Sequence, residues 1–479
     1  MKLALALAAA LLGPALPAFA APAAPPRAVD ARRLADFIDG VVAQQIATRD
    51  VAGAVVTVVA GGRVLFTRGY GHASLDPRRP VTPDTLFHPG SVSKLFTWTA
   101  LMQQVEQGRV SLDADVNRYI DFVIPPYEGR PIRIRDLLSH SAGLSDVSGV
   151  ITYDPAKVVP YPVWLKTKLP KRLWAPGTEI AYSNWGAALA GYIVERVSGE
   201  PFADYTEHHL FAPLRMASTS FREPLPPALA ARLATGYKVE GGRLVAKGPE
   251  YLGSVMPAGS SSSTGPDMAR FLLAMLNGGA LDGARILRAD TLRLMESDLL
   301  TNAPGMPGMA HGWLVEREAG PRLIGHAGNT VDFHSDLVIA PELGIGFFVS
   351  FTGGEGSSGA RTELRDALIG RLFPATPAPR WTGSDTVAVA GAYRDNRRDY
   401  SEAPRPEHDV KVSAPAPHRV VLTMEGKASA WDQISPGEYE QVTGAREGGP
   451  YDRIRFYGPP QDRRLSFASH PYEAFHLVR

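Results

Sequence analysis

The chain has 479 residues, is 44% hydrophobic, and sets 50 lysines and arginines against 49 acids for a net charge of +1. That balance gives no electrostatic footprint for nucleic acid or an anionic membrane surface, and the absence of cysteine excludes disulfides, thiolate metal sites and a lipid-modified cysteine. At about 150 residues per domain, a chain of this length is expected to form two domains and to bury a sizeable core.

In chain order, the first element is an export leader. Lys2 supplies a positive start, Leu3 to Leu12 an apolar run too short to span a bilayer, and Ala18-Phe19-Ala20 the small-x-small pattern that signal peptidase accepts. Cleavage is expected after Ala20, because Pro14 and Pro17 break the run before it could serve as a buried helix. The mature protein is then expected in the periplasm or outside the cell, without a membrane anchor.

Leu34, Phe37, Ile38, Val41, Val42 and Ile46 follow helical spacing over Ala31 to Thr48. Strands over Ala52 to Val59 and Val64 to Tyr70 flank Gly61-Gly62, which reads as a tight hairpin turn. From Ser91 to about Leu294 helical stretches dominate (Leu95 to Gln107, Ala187 to Ser198, Asp267 to Leu276), separated by loops rich in Gly and Pro. Strand patterns return over His311 to Val315, Leu323 to Gly325, Ser335 to Ile339 and Gly344 to Thr352, and a helix over Ala360 to Leu372 follows. Strands at both ends with helices inserted between them predict an α/β domain, residues 28–373, in which an antiparallel sheet is flanked by helices beside an α-rich lobe. A cleft is expected where sheet and lobe meet. Pro374 to Pro379 reads as a stiff, solvated linker. Beyond it, residues 380–479 show only strand patterns, among them Val420 to Met424, Ile454 to Tyr457, Leu465 to Ala468 and Phe475 to Val478, which predict a small β-barrel or sandwich.

Ser91-Val92-Ser93-Lys94 follows a Pro-Gly turn and opens the first of those helices. A serine there can be no more than a cap. The spacing of three nevertheless puts the Lys94 amine on the same helical face as the Ser91 hydroxyl, and a helix start offers N–H groups to an oxyanion. No other lysine in the chain has a serine three residues before it. Tyr182-Ser183-Asn184 is the only Y-x-N. A tyrosine beside a lysine can shuttle protons, and Asn184 can hold the lysine amine or a substrate amide; a buried Tyr followed by a turn Asn is the plainer reading. His326-Ala327-Gly328 lies on a predicted strand. There Gly328 would let a ligand approach the strand edge, and the Asn329 N–H would pair with that of Ser91 as an oxyanion hole. A lone His on a strand is otherwise an ordinary core or surface residue.

S-x-x-K, then Y-x-N, then H-x-G resembles the serine β-lactamase and penicillin-binding-protein superfamily, which carries S-x-x-K, Y-x-N or Ser-Asp-Asn, and Lys-Thr-Gly in that order. The tyrosine in the second motif looks like the class C β-lactamase branch, with its D-aminopeptidases, D,D-carboxypeptidases and carboxylesterases. Phe87-His88-Pro89-Gly90, the run Ile134 to Leu144, Pro257-Ala258-Gly259 and Asp267 to Phe271 agree with that branch. The resemblance spans Ala31 to about Leu372 and implies a β-lactamase/transpeptidase-like fold. It also implies a serine hydrolase working through an acyl-enzyme on an ester or amide, with Ser91, Lys94 and Tyr182 catalytic and Asn184, His326, Gly328 and Asn329 at the substrate. The C-terminal β-domain resembles the barrel of some D-aminopeptidase-like relatives.

One departure matters. His326 and Ala327 replace the lysine and hydroxyl that grip a substrate carboxylate, and histidine is only partly charged near neutral pH. Losing a charge-assisted contact of about 1.5–3 kcal/mol would weaken carboxylate-bearing β-lactams by roughly tenfold to a hundredfold or more. H-x-G variants occur in D-aminopeptidase-like and esterase-like members, so an esterase or D-amino-acid peptidase is expected ahead of a class C-type β-lactamase or D,D-carboxypeptidase. A non-catalytic peptidoglycan-binding protein is the alternative of a different class. Substrates are expected to be small molecules or peptides, including peptidoglycan-derived ones. No cofactor or metal is implied: H-E-x-x-H is missing, and the adjacent His208 and His209 should point apart.

Overall fold

The computed structural model describes residues 29–317, 320–374, 378–383, 388–444 and 452–478. The expected leader and its cleavage site lie outside the described residues, as do positions 375–377 of the expected linker.

The first helix runs Ala31–Thr48, capped by Asp30, whose carboxylate accepts the Arg32 and Arg33 amides at 3.1 Å. The strands Val51–Ala60 and Arg63–Leu75 follow, joined at Gly61 and Gly62 with φ of +58° and +75°. Two consecutive positive φ values are what a tight two-residue hairpin requires, and glycine adopts them without steric cost.

These strands belong to a nine-stranded antiparallel sheet. From edge to edge its strands are Arg78–Pro80, Arg63–Leu75, Val51–Ala60, Ile345–Gly353, Phe333–Ala340, Leu323–Asn329, Leu314–Arg317, Met309–Ala310 and Asp298–Leu300. Strands from before and after the helical lobe therefore meet at the centre, where Val51–Ala60 pairs with Ile345–Gly353. Every residue of Val51–Ala60 is buried because both faces are covered. Val55 and Val59 join the core of the helical lobe, while Ala54, Val56 and Val58 pack with Leu34, Ile38, Leu364 and Leu368 of the first helix and the helix Gly356–Leu372.

The lobe between the two halves of the sheet is built around the helix Lys94–Glu106, buried on all sides along most of its length, and Asn184–Ser198, which packs against it. Two small hairpins, Tyr237–Glu240 with Arg243–Ala246 and Ala280–Leu281 with Ala284–Arg285, are additional to the helices read from sequence. The strand expected over His311–Val315 is displaced to Leu314–Arg317, with Met309–Ala310 before it. Gly312 interrupts it at φ +94°, so close to Trp98 that a Cβ would lie 2.5 Å from the indole.

The C-terminal region is a barrel rather than a sandwich. Eight antiparallel strands from Gly391–Asp395 to Phe475–Leu477 close on one another through Tyr393 and Leu477. Val410, Val412, Leu422, Trp431, Ile454 and Phe456 fill it. The barrel docks on the main body through Glu179, whose buried carboxylate accepts from Asn396 Nδ2 (2.6 Å), His476 Nε2 (2.8 Å) and Arg464 Nη1 (2.5 Å).

Candidate active site

The turn carrying Ser91 is a single 3-10 turn, Gly90–Ser93, leading directly into the helix Lys94–Glu106. Gly90 sits at φ +55°, and a Cβ there would lie 3.0 Å from the Asn329 amide nitrogen. From the other side, a Cβ on Gly328 would fall 2.0 Å from the Pro89 carbonyl oxygen and 3.0 Å from the Ser91 nitrogen. Gly328 is therefore needed, though for a reason other than the expected one. The backbone that comes close to the strand edge is the Ser91 turn, and that contact brings the Ser91 and Asn329 amides onto adjoining stretches of chain. The Asn329 side chain points elsewhere, its Oδ1 accepting from Arg361 Nη2 (3.2 Å) and His334 (2.9 Å).

Lys94 is fully buried. Its Nζ lies 2.9 Å from Ser91 Oγ, 2.8 Å from Asn184 Oδ1 and 2.6 Å from the Ala258 carbonyl oxygen. Burial lowers its pKa well below the ordinary lysine range, and the nearby Arg397 guanidinium lowers it further, with Asp146 opposing. Asn184 reaches the lysine because it is the first residue of the helix Asn184–Ser198, which Ser183 caps by accepting the Gly186 amide at 3.1 Å.

Tyr182 is 3% exposed and lies over the lysine, with Nζ 4.8 Å from its ring centroid. Burial raises its phenol above the ordinary range, while Arg397 and the neighbouring Ser91 hydroxyl act in the opposite direction. Its Oη is close enough to feel Ser91 but makes no hydrogen bond of normal geometry among the described residues.

His326 is 1% exposed, its ring centroid 6.0 Å from that of Tyr182. Burial, reinforced by Lys94, brings its pKa down to about 3, so it is neutral rather than partly charged at physiological pH. Its Nδ1 donates to the Ala327 carbonyl at 2.6 Å, which leaves Nε2 as a lone pair.

Three groups at this site have no signal in the linear motifs. Arg397, from the barrel loop that follows Gly391–Asp395, places its guanidinium 4.3 Å from the centroid of Tyr182 and 3.4 Å from Asp146 Oδ2. Asp146 in turn accepts the Asn184 amide at 3.3 Å. The barrel's Tyr472 carbonyl accepts the Tyr182 amide at 3.0 Å. A groove of about 450 Å³ runs along this junction past Asp146, Arg397, Arg398 and Glu473. A larger cavity, about 570 Å³ and lined by Arg130, Arg133, Arg135 and Asp136, contains none of these site residues. His208 and His209 are remote from this geometry, and they do not point apart. A π-helical turn over Glu207–Phe211 brings both rings to Glu200, at 3.0 and 2.8 Å.

Serine, lysine, tyrosine and asparagine held in this order and geometry agree with a comparison against known proteins, in which the Beta-lactamase family matches residues 38–371. The chain belongs to the Beta-lactamase family. Within this family, penicillin-binding protein 4 of Amycolatopsis lactamdurans is 30% identical over 377 residues, covering 72% of this chain and 93% of that protein. Protein flp of Staphylococcus aureus (strain N315) is 24% identical over 315 residues, 65% of this chain, and the chain spans 62% of the length of that relative. Among solved structures, SurE is covered over 99% of its length and 94% of this chain at a TM-score of 0.66 and 22% identity. That likeness is one of fold, and its coverage extends over the barrel. Family membership supports serine hydrolase activity in the broad sense.

Proposed function

We propose that the chain is an exported serine hydrolase that opens esters or amides through an acyl-enzyme on Ser91, with a substrate range of the esterase or D-amino-acid-peptidase kind. The observation that carries this reading is the set of partners of Lys94. Asn184 Oδ1 and the Ala258 carbonyl can only accept, so they take two N–H bonds of the amine. A lysine with a lowered pKa then has its lone pair left for the Ser91 hydroxyl at 2.9 Å. In this mechanism the hydroxyl proton passes to Nζ as Oγ bonds to the substrate carbonyl carbon. The Ser91 and Asn329 amides hold the resulting oxyanion. Collapse breaks the bond to the leaving group, which takes a proton by way of Tyr182, and water then repeats the sequence to release the acid. The leader pattern of residues 1–20 supports a periplasmic or secreted location, and small molecules or peptides, peptidoglycan-derived ones among them, are the proposed substrates.

A specific observation favours a second reading, that of a class C-type β-lactamase or D,D-carboxypeptidase. Neutral His326 cannot grip a carboxylate as a cation, yet Arg397 stands beside Tyr182 with 34% of its side chain exposed. Arginine suits carboxylates well, so it could stand in for the missing lysine. SurE, solved also with D-Leu, supports keeping D-amino-acid substrates in view.

A fluorophosphonate should add its mass to the Ser91 peptide of the mature protein and not to folded Ser91→Ala. A short-chain p-nitrophenyl ester or D-alanyl p-nitroanilide should be turned over faster than a chromogenic cephalosporin. Labelling that persists in Ser91→Ala sinks the mechanism, whereas fastest turnover of the cephalosporin replaces the first substrate reading with the second.

A further inference from the structure

We propose that His140 is a positioning residue that holds Tyr182 in place for proton transfer, a role that rests on the acyl-enzyme reading above. His140 follows the short helix Ile134–Leu138, is 2% exposed, and adopts φ +51°. A non-glycine residue in the left-handed region is uncommon, and a buried one persists where surrounding contacts hold it there. Beyond an edge contact with Trp98 and its own amide bond to Leu137, three of those contacts converge on one tripeptide. The His140 carbonyl accepts the Ala181 amide at 2.9 Å, its Nδ1 accepts the Ser183 amide at 3.2 Å, and its ring stacks on that of Tyr182 at 4.2 Å and 29°. The amide between them, that of Tyr182, goes to the barrel's Tyr472 carbonyl instead. Three successive amides are thus each fixed from outside the segment, two of them by one residue.

Donor and acceptor logic also gives the form of the ring. A backbone N–H can only donate, so Nδ1 is a lone pair and the neutral ring carries its proton on Nε2. That is the opposite tautomer to His326, which also neighbours Tyr182. A proton on Nδ1 would set two donors against each other. Burial, with the Lys94 amine and the Arg397 guanidinium adding to it, lowers its pKa well below the ordinary histidine range and keeps it uncharged. Histidine combines what other side chains offer singly: phenylalanine supplies a ring to stack but no acceptor, and asparagine supplies the acceptor and tolerates the left-handed backbone but cannot stack. The Nδ1 acceptor, by fixing the Ser183 amide, does most to hold Tyr182 over Lys94 and beside Ser91, and the stacked ring adds to it.

The test uses the full mature chain, with kcat and KM on a p-nitrophenyl ester, fluorophosphonate labelling of Ser91, and circular dichroism for folding. His140→Phe should lower kcat about ten- to a hundredfold, the loss typical of a misplaced catalytic group, with KM within about twofold of wild type. His140→Asn should restore at least about a third of the wild-type kcat, and neither variant should move the pH profile, because the native group carries no charge. Should His140→Phe not fold, His140→Gly takes its place: it suits the backbone, lacks the acceptor, and should be as slow. A folded Phe or Gly variant with wild-type kcat overturns the proposal, as does an Asn variant as slow as they are. Loss of wild-type turnover and Ser91 labelling would instead strike at the acyl-enzyme reading itself.

Discussion

The turn carrying Ser91 and the barrel end carrying Arg397 both reach Tyr182, and they are built on opposite principles. Around Ser91 and Lys94 the hydrogen-bond partners are groups of the main body, Asn184 and Ala258, and burial pushes the lysine toward neutrality. At the barrel end Arg397 and Arg464 are partly exposed and charged, and they act through ion pairs to the more buried Asp146 and Glu179. The reacting groups thus belong to one tightly packed core, while the charge that adjusts them comes from a separately built domain. A buried amine can serve as a base because desolvation lowers its pKa, and a nearby cation strengthens that effect without sharing in the chemistry.

The comparison breaks most visibly on the Ser91 side. Lys94→Ala and Tyr182→Phe should each lower kcat by about 10² or more, with the double variant losing much less than the product because the groups act as a unit. Steady-state kinetics on a p-nitrophenyl ester checks this, and losses that simply multiply would separate the two residues.

On the barrel side the expected effect is smaller and of a different kind. The base form of Lys94 is populated above its lowered pKa, so kcat/KM should rise with pH through that value. Arg397→Met removes a cation that helps to lower it. The pKa then rises and the acid limb of the pH profile should move to higher pH, with little change in thermal stability. An acid limb that stays in place would show that burial alone sets the lysine.

The smallest effect is expected at the docking contact. Glu179→Gln keeps the shape but loses the charge that Arg464 pairs with, and should cost about 1–3 kcal/mol, read as a lower Tm and a modestly lower kcat. An unchanged Tm with normal kcat would mean that the barrel is held elsewhere.

Much of this was legible in sequence because it is local. The hairpin follows from Gly61-Gly62, and the alignment of Ser91 with Lys94 from helical spacing. The rest is tertiary. Arg397 and Asp146 carry no periodicity or motif that links them to Tyr182, and His140, though part of a run that resembles the family, shows its contacts only when the loop is folded. Gly328 was recognisable as a point of close approach, but whether ligand or backbone fills that space depends on the opposing turn. The displaced strand near His311 follows from the packing of Gly312 on Trp98, and the convergence of His208 and His209 from a π-turn that spacing rules do not anticipate. The additional hairpins had a readable mark in Gly241-Gly242 and Asp282-Gly283, whose φ values are all positive.

The hydrogen bond from the Tyr182 amide to the Tyr472 carbonyl has a consequence for biosynthesis. Ser91, Lys94, Tyr182 and His326 are all made before the final barrel strand, and domains made first generally fold first. The main body can therefore assemble its reacting groups while the tyrosine segment still lacks one of its anchors. On the acyl-enzyme reading, the Tyr182 segment gains this anchor only once the barrel closes, so turnover should report on the integrity of the whole chain rather than on the fold of the catalytic domain alone.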